Sequence, residues 1–167
     1  MIVAVGHIDL SSEARAAVEA ELRARLSRLP SGEAGLVRAG RGVPALFARA
    51  AKAAGRRLVV TFPASVSGAG PAPEALPPAD RLPAGDLLAL ADEVRLLAYD
   101  PADRDARVCA DEHLVKGCRH LLAVWDGSPS NGRDATAHLV AYALSRGIPV
   151  DVVWPDLARR ESPAPTR

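Results

Sequence analysis

Four predicted loops together favour binding of a small anion, and they cover residues 6–9, residues 40–42, the stretch that begins at Pro63 and residues 126–136. Glycine lets the backbone approach a ligand closely and adopts positive φ without strain. The guanidinium groups of Arg41 and Arg133 can pair with phosphate, and Arg133 precedes a predicted helix start, where an anion is already favoured. The candidate ligand-binding residues are Gly6, His7, Asp9, Gly40, Arg41, Gly42, Asp126, Gly127, Gly132, Arg133, Asp134 and Thr136.

Several of these candidates also have a purely structural interpretation. Asp126 ends a predicted buried strand, where its carboxylate could bind a ribose hydroxyl or cap the following turn. Asp134 is suited to be the N-cap of the next helix, and His7 is typical of a hydrogen-bonded turn residue. The loops contain neither a G-x-G-x-x-G sequence nor a Walker loop. The sequence therefore indicates no catalytic residue, no cofactor and no metal ligand.

Alternating strands and helices must position these loops. Short apolar runs predict strands, which cover residues 2–5, 35–38, 57–62, 94–98, 119–125 and 148–154. Apolar residues at spacings of three and four predict helices, which cover residues 12–29, 44–54, 86–91, 103–116 and 134–145. This alternation is typical of an α/β fold with a mostly parallel sheet and helices on both faces. The loops after strands one, two, three and five are then expected to meet at one sheet edge, where such folds bind ligands.

One stretch differs from the rest of the chain in composition. Residues 63–83 read PASVSGAGPAPEALPPADRLP, and proline and glycine recur too often there for regular structure. A loop of this length is either functional or poorly ordered, so a flap over the ligand site and plain mobility both stay open. We expect a single domain over residues 1–160 and a disordered tail over residues 161–167.

Composition excludes several classes of partner. The chain has 167 residues, and its formal net charge of +1 gives no electrostatic case for nucleic acid or a membrane. No apolar run approaches the roughly 20 residues of a membrane span, and no secretory signal pattern opens the chain. Cys109 and Cys118 fit no zinc or redox spacing, which favours free, buried thiols in a reducing compartment. We therefore expect a cytoplasmic protein.

The C-terminal half of the chain resembles the SLOG superfamily. Residues 121–127 read LLAVWDG, followed by Gly132, Thr136, an AYA run at 141–143 and GIPV at 147–150. The opening GHIDL at residues 6–10 is similar to the family's G-H-R-D-L, and AGRG at 39–42 to its second glycine loop. The resemblance implies a Rossmann-like three-layer sandwich that binds nucleotides or nucleotide-derived ligands. Members of the superfamily include lonely-guy-type phosphoribohydrolases, DNA-processing proteins and sensor domains, and nucleoside deoxyribosyltransferases look similar.

Four departures from the family pattern affect its chemistry. Ile8 replaces an arginine of the first motif, and Asp134-Ala135 replaces two glycines before the threonine. Val43-Pro44 follows the second glycine loop, where many relatives carry an acidic residue. The catalytic glutamate of the phosphoribohydrolases corresponds to Leu139, and leucine can neither stabilise nor attack an oxocarbenium-like centre.

The sequence therefore predicts a module or sensor that binds a small nucleotide-like ligand at the edge of the sheet. One alternative is a hydrolase or transferase acting on an N-glycosidic bond, with Asp126 or Asp134 in place of the missing glutamate. A second alternative is a scaffold with a vestigial site that forms a homodimer through alanine- and leucine-rich helix faces.

Overall fold

The computed structural model describes residues 1–65, 70–156 and 158–161. The described strands are β1 (Ile2–Gly6), β2 (Gly35–Arg38), β3 (Leu58–Pro63), β4 (Glu93–Leu97), β5 (His120–Val124) and β6 (Val150–Val152). The α-helices of the same residues are α1 (Ser12–Arg28), α2 (Val43–Ala53), α3 (Pro78–Leu90), α4 (Arg104–Lys116) and α5 (Thr136–Ser145).

The strands form one sheet in the order β4-β3-β2-β1-β5-β6, and each pairing between neighbours is parallel. The predicted Rossmann-like α/β sandwich is confirmed. The chain moves outward from β1 to β4 and then returns to place β5 on the other side of β1. The connection after β1 therefore leads to one side of the sheet and the connection after β5 to the other. Open α/β sheets bind ligands beyond the carboxyl ends of the strands at such a point.

Two apolar cores hold the helical layers to the sheet. Side chains alternate along β1, so Ile2 and Ala4 pack with α1, α2 and α3, whereas Val3 and Val5 pack with α4 and α5. The predicted stripe of α1 is confirmed, since Val18, Leu22 and Leu26 are fully buried. Leu144 of α5, which the spacing places inward, is instead 60% exposed.

The proline-rich stretch contains more regular structure than its composition predicts. A 3-10 turn covers Pro73–Ala75, and α3 begins at Pro78 rather than at residue 86. Proline suits the first turn of a helix because its missing N–H would be unbonded there in any case. Burial of Ala84 and Leu87 then anchors the helix. The expectation of an irregular loop over all of residues 63–83 is therefore wrong, and residues 66–69 lie outside the described part.

The C-terminal end of the described chain returns to the loop after β1. Leu10 and Arg160 form an antiparallel bridge, and the Glu161 N–H donates to the Asp9 carbonyl at 2.6 Å. We call residues 158–161 the C-terminal strap. The remainder of the predicted disordered tail, residues 162–167, lies outside the described residues.

Two further expectations concern cysteines and membranes. Both cysteines are free, but only Cys118 is buried, and burial raises the pKa of its thiol; Cys109 is exposed on α4. Among the residues that the structure covers, no helix combines the length and apolar character needed to cross a bilayer.

Candidate functional site

A cleft of about 240 Å³ opens at the carboxyl ends of β1 and β2. Gly40, Arg41 and Asp80 form one side, contributed by the loop after β2 and the start of α3. The starts of α4 and α5 form the other side, with Arg104 and Thr136 among the lining residues. The cleft therefore lies at the sheet edge where this topology favours a ligand.

Charged side chains dominate the polar lining of this cleft. The arginines are Arg38, Arg41, Arg104, Arg107 and Arg133. The acidic residues are Asp80, Asp111 and Asp134. Guanidinium groups thus outnumber carboxylates, which makes the cleft attractive to an anion.

One pair of these charges is internally satisfied. Arg38 donates from Nε to Asp111 Oδ1 at 2.7 Å and from Nη2 to Asp111 Oδ2 at 3.0 Å. Burial alone would lower the pKa of Arg38, but the Asp111 carboxylate outweighs it and holds that pKa above its usual range. The pair joins β2 to α4 and contributes little net charge to the cleft.

The other four arginines keep donors available. Arg41 is half exposed, with Nε 3.8 Å from Asp80 Oδ1. Arg104 donates to the Asn131 carbonyl at 2.9 Å and Arg107 to the Pro101 carbonyl at 2.8 Å. The guanidinium of Arg133 has no hydrogen bond or ion pair within residues 1–65, 70–156 and 158–161. Because each guanidinium carries five N–H donors, most of these donors have no partner among the described residues.

The N-terminus of α5 is poorly suited to binding a phosphate. The Thr136 N–H donates to Asp134 Oδ1 at 2.8 Å, and the His138 N–H donates to Ser130 Oγ at 2.9 Å. These are among the N–H groups that an anion would otherwise use, and the Asp134 carboxylate adds negative charge beside them. An anion in this cleft would therefore rely on arginine side chains.

A buried histidine joins the loops after β1 and β5. His7 is 1% exposed; its Nδ1 contacts Asp134 Oδ2, and its Nε2 lies 2.8 Å from Asp126 Oδ1. The rings of His7 and Trp154 pack in a T-shaped arrangement, with ring centroids 5.7 Å apart. Burial alone would lower the pKa of His7, but the hydrogen bonds with Asp134 and Asp126 outweigh it and raise that pKa.

The same contacts keep both carboxyl groups ionised. Burial alone would raise the pKa of Asp126, but hydrogen bonds with Ser128 and His7 lower it to about 2. Burial opposes ionisation of Asp134 as well, and the hydrogen bonds with His7 and Thr136 hold the pKa of Asp134 well below its usual range. Both groups are weak bases for this reason.

Arg160 of the C-terminal strap completes this arrangement. Its Nε and Nη2 donate to Asp9 at 2.9 and 3.0 Å, and its Nη2 also donates to Asp134 Oδ2 at 3.3 Å. Its Nη1 lies 3.7 Å from Asp126 Oδ2. We call the group of His7, Asp9, Asp126, Asp134 and Arg160 the aspartate network.

Three members of the network could in principle share a cation. Ligand atoms of His7, Asp9 and Asp134 lie within 4.8 Å of one another. Arg160 already donates to Asp9 and Asp134, however, and His7 contacts Asp134. A metal ion would therefore have to displace the guanidinium and compete with the contact between His7 and Asp134.

The candidate residues from the sequence divide between two neighbouring places. Those that line the cleft are Gly6, Gly40, Arg41, Arg133, Asp134 and Thr136. His7, Asp9 and Asp126 lie in the aspartate network, which meets the cleft at Asp134. The remaining candidates, Gly42, Gly127 and Gly132, are not lining residues of the cleft.

Capping explains part of the role of each aspartate that follows β5. Asp126 Oδ1 accepts the Ser128 N–H at 2.9 Å, and Asp134 Oδ1 accepts the N–H of Thr136. Asp134 caps α5 from just before its N-cap, which is Ala135. The sequence interpretation of Asp126 as a turn cap is therefore confirmed, whereas Asp134 lies one residue before the N-cap position predicted for it. The contacts of both residues with His7 are additional.

Sequence reasoning missed several of the charged residues that line the cleft. Arg38, Arg104 and Arg107 are isolated charges without a motif, and Asp80 lies within the proline-rich stretch. Arg160 lies at the expected end of the domain, beside the predicted tail. Of these residues, only Arg38 could have been assigned to the cleft from the sequence, because it lies at the carboxyl end of a predicted strand.

Comparisons with known proteins leave the family undetermined. No known protein family and no curated protein matches the chain. The chain is similar to an uncharacterized protein from Agrobacterium tumefaciens C58, with a TM-score of 0.25, 16% identity and coverage of 89% of this chain. It spans 61% of that protein, and so low a TM-score supports no inference about fold or function. The resemblance to the SLOG superfamily therefore stays a prediction.

Proposed function

We propose that this protein is a binding module for a small phosphorylated ligand of the nucleotide class. The observation that carries the proposal is the set of four arginines, Arg41, Arg104, Arg107 and Arg133, that line one cleft with donors available. Arginine is suited to phosphate because its planar fork donates two parallel hydrogen bonds to one group.

The size of the cleft favours a mononucleotide over a dinucleotide. Pockets that enclose drug-sized ligands measure roughly 300–1,000 Å³, and this cleft measures about 240 Å³. A nucleoside monophosphate would fill it and leave part of the base or sugar at its mouth. The resemblance to the SLOG superfamily supports the nucleotide class within the wider group of phosphorylated metabolites.

The contacts of the two candidate acids disfavour cleavage of a glycosidic bond. Asp134 uses both oxygens on His7, Thr136 and Arg160, and Asp126 is held by His7 and Ser128. Oxygens already engaged by protein donors are poorly placed to attack or stabilise an oxocarbenium-like centre. The lowered pKa values of both groups also make them poor general acids. Leu139, at the position of the family's glutamate, is an apolar lining residue of the cleft.

Isothermal titration calorimetry tests the proposal. The panel is AMP, GMP, their 3′,5′-cyclic forms and ADP-ribose, with adenosine and inorganic phosphate for comparison. We expect at least one nucleoside monophosphate to bind below millimolar concentration and adenosine to bind far more weakly. The double variant Arg41→Ala/Arg133→Ala is expected to weaken binding at least about tenfold, because it removes two charge-assisted contacts.

The matched control is Arg119→Ala. Arg119 is 82% exposed and precedes β5, at the sheet edge opposite the cleft, so its removal is expected to leave binding unchanged. If no member of the panel bound at millimolar concentration, the proposal would be wrong. Free base released from a nucleoside monophosphate, detected by chromatography, would instead favour the glycosidic enzyme.

A further inference from the structure

Gly40 leaves an opening in the cleft beside two side chains of opposite charge. A β-carbon at Gly40 would lie 3.8 Å from Arg38 Nη1 and 3.9 Å from Asp80 Oδ1. These are ordinary van der Waals distances, so the opening has about the size of a methyl group. All three residues line the cleft, and we call the opening that they bound the Gly40 niche.

Both charged sides of the niche are held in place by protein contacts. Arg38 is fixed by its two hydrogen bonds to Asp111, at 2.7 and 3.0 Å. Asp80 Oδ1 accepts the Arg41 N–H at 3.0 Å, and the Asp80 N–H donates to the Pro77 carbonyl at 2.8 Å. The side chains of Arg38 and Asp80 are each 20% exposed. Little reorganisation is therefore needed when a ligand group enters.

The chemistry of the niche selects one kind of group. A guanidinium only donates hydrogen bonds and a carboxylate only accepts them, so a group that contacts both must be donor and acceptor at once. An ammonium has no lone pair to accept from Arg38, an ionised phosphate has no proton to donate to Asp80, and a purine or pyrimidine ring is too large. A hydroxyl meets all three conditions.

We propose that the Gly40 niche binds a sugar hydroxyl of the ligand, so that the cleft selects a ribonucleotide over its deoxy counterpart. This inference rests on the proposed binding of a nucleotide. The phosphate contacts Arg133 and its neighbouring arginines, while Arg38 Nη1 donates to the hydroxyl oxygen and the hydroxyl donates to Asp80.

Calorimetry with AMP, 2′-deoxy-AMP and 3′-deoxy-AMP, and with the same three forms of GMP, tests the niche. We expect one deoxy form to bind about tenfold more weakly than the ribonucleotide, because Arg38 and Asp80 each lose a hydrogen bond to the ligand. Gly40→Ala fills the niche. It is expected to weaken ribonucleotide binding about tenfold and to abolish the preference over that deoxy form.

Gly40→Ala is a mild change for the fold. Gly40 does not have positive φ, and the added methyl group meets its neighbours at contact distance. The variant should therefore melt at the temperature of the wild type. Gly85→Ala is the matched control, because its β-carbon enters open space on α3, outside the cleft. It should leave both affinity and preference unchanged.

The possible outcomes distinguish failure of the niche from failure of the proposed nucleotide binding. Equal affinities of the ribo and both deoxy forms, or an unaltered preference in Gly40→Ala, would overturn the niche while nucleotide binding stands. No binding of any nucleotide would overturn both. If Gly40→Ala melts early, Asp80→Asn replaces it, since asparagine keeps an oxygen for the Arg41 N–H and removes the charge. A preference that persists undiminished in Asp80→Asn would equally overturn the niche.

Discussion

His7 has a hydrogen-bonding arrangement for each of its protonation states. When the ring is charged, Nδ1 donates to Asp134 and Nε2 donates to Asp126 Oδ1 at 2.8 Å. When the ring is neutral, Nδ1 can keep its proton, and Nε2 can accept the backbone N–H of Asp126, which lies 3.1 Å away. Loss of the proton therefore removes an ion pair without leaving a buried nitrogen unpaired.

The raised pKa of His7 makes a prediction about stability and pH. A group whose pKa is higher in the folded protein contributes stability that is fully present below its unfolded pKa, about 6.5. That contribution is lost as pH rises through the folded pKa. We expect the free energy of unfolding, measured by urea denaturation from pH 5.5 to 9, to fall over this window in the wild type. His7→Gln should flatten that part of the profile.

The control for this prediction is His113→Gln. His113 lies on the exposed side of α4, so its replacement should keep the decline of the wild type. A decline of the same size in His7→Gln would contradict the role assigned to the buried ring. The lowered pKa values of Asp126 and Asp134 also stabilise the folded protein, with the opposite pH dependence. Their contribution is present at neutral pH and is lost as pH falls below about 4.

At the scale of elements, the close approach of β1 to its neighbours depends on Gly6. A β-carbon there would lie 2.5 Å from the Val124 carbonyl oxygen and 2.8 Å from Val43 Cγ2. These atoms belong to β5 and to the first turn of α2, so the glycine lets one strand end pack against both. The sequence interpretation gave Gly6 a role in ligand approach, and packing is an independent reason for it.

Gly6→Ala is therefore expected to destabilise the protein. Overpacking of this kind costs about 1–3 kcal/mol of unfolding free energy, because backbone must shift to make room. Urea denaturation measures the difference. Gly132→Ala, whose β-carbon would enter open space, is the control and should change stability by less than about 0.5 kcal/mol. Equal effects of the two substitutions would contradict the packing argument.

For the whole molecule, the aspartate network ties the C-terminal strap to the sheet edge. Arg160 joins carboxylates from the loop after β1 and from the start of α5, and Asp134 is only 8% exposed. Removal of the guanidinium leaves a buried carboxylate with fewer partners. We expect Arg160→Ala to lower the free energy of unfolding by about 1–3 kcal/mol, measured by urea denaturation.

Arg49→Ala is the matched control for this substitution. Arg49 also makes two hydrogen bonds to one carboxylate, that of Glu19, but its side chain is 50% exposed. Exposed ion pairs contribute about 0–1 kcal/mol, so its loss should cost less. If Arg160→Ala cost no more than Arg49→Ala, the strap would not be held by the network.

The sequence by itself determined the kinds of elements, their order and the sheet edge at which a site should lie. Hydrophobic periodicity and turn residues act over a few positions, so β2 was predicted at its observed bounds and α1 with its observed stripe. That position 139 carries leucine rather than an acidic residue is likewise visible in the sequence alone. Local patterns failed at α3, where burial of Leu87 against the core outweighs the helix-breaking tendency of proline.

Only the tertiary structure decided which charges meet. His7 and Asp134 are 127 residues apart in the chain, and Asp9 and Arg160 are 151 apart. Such pairs depend on strand order, register and the angles at which helices leave the sheet, and no short-range period encodes these. The cleft's arginines come together for the same reason: they lie on three separate segments of the chain that meet at one edge of the parallel sheet.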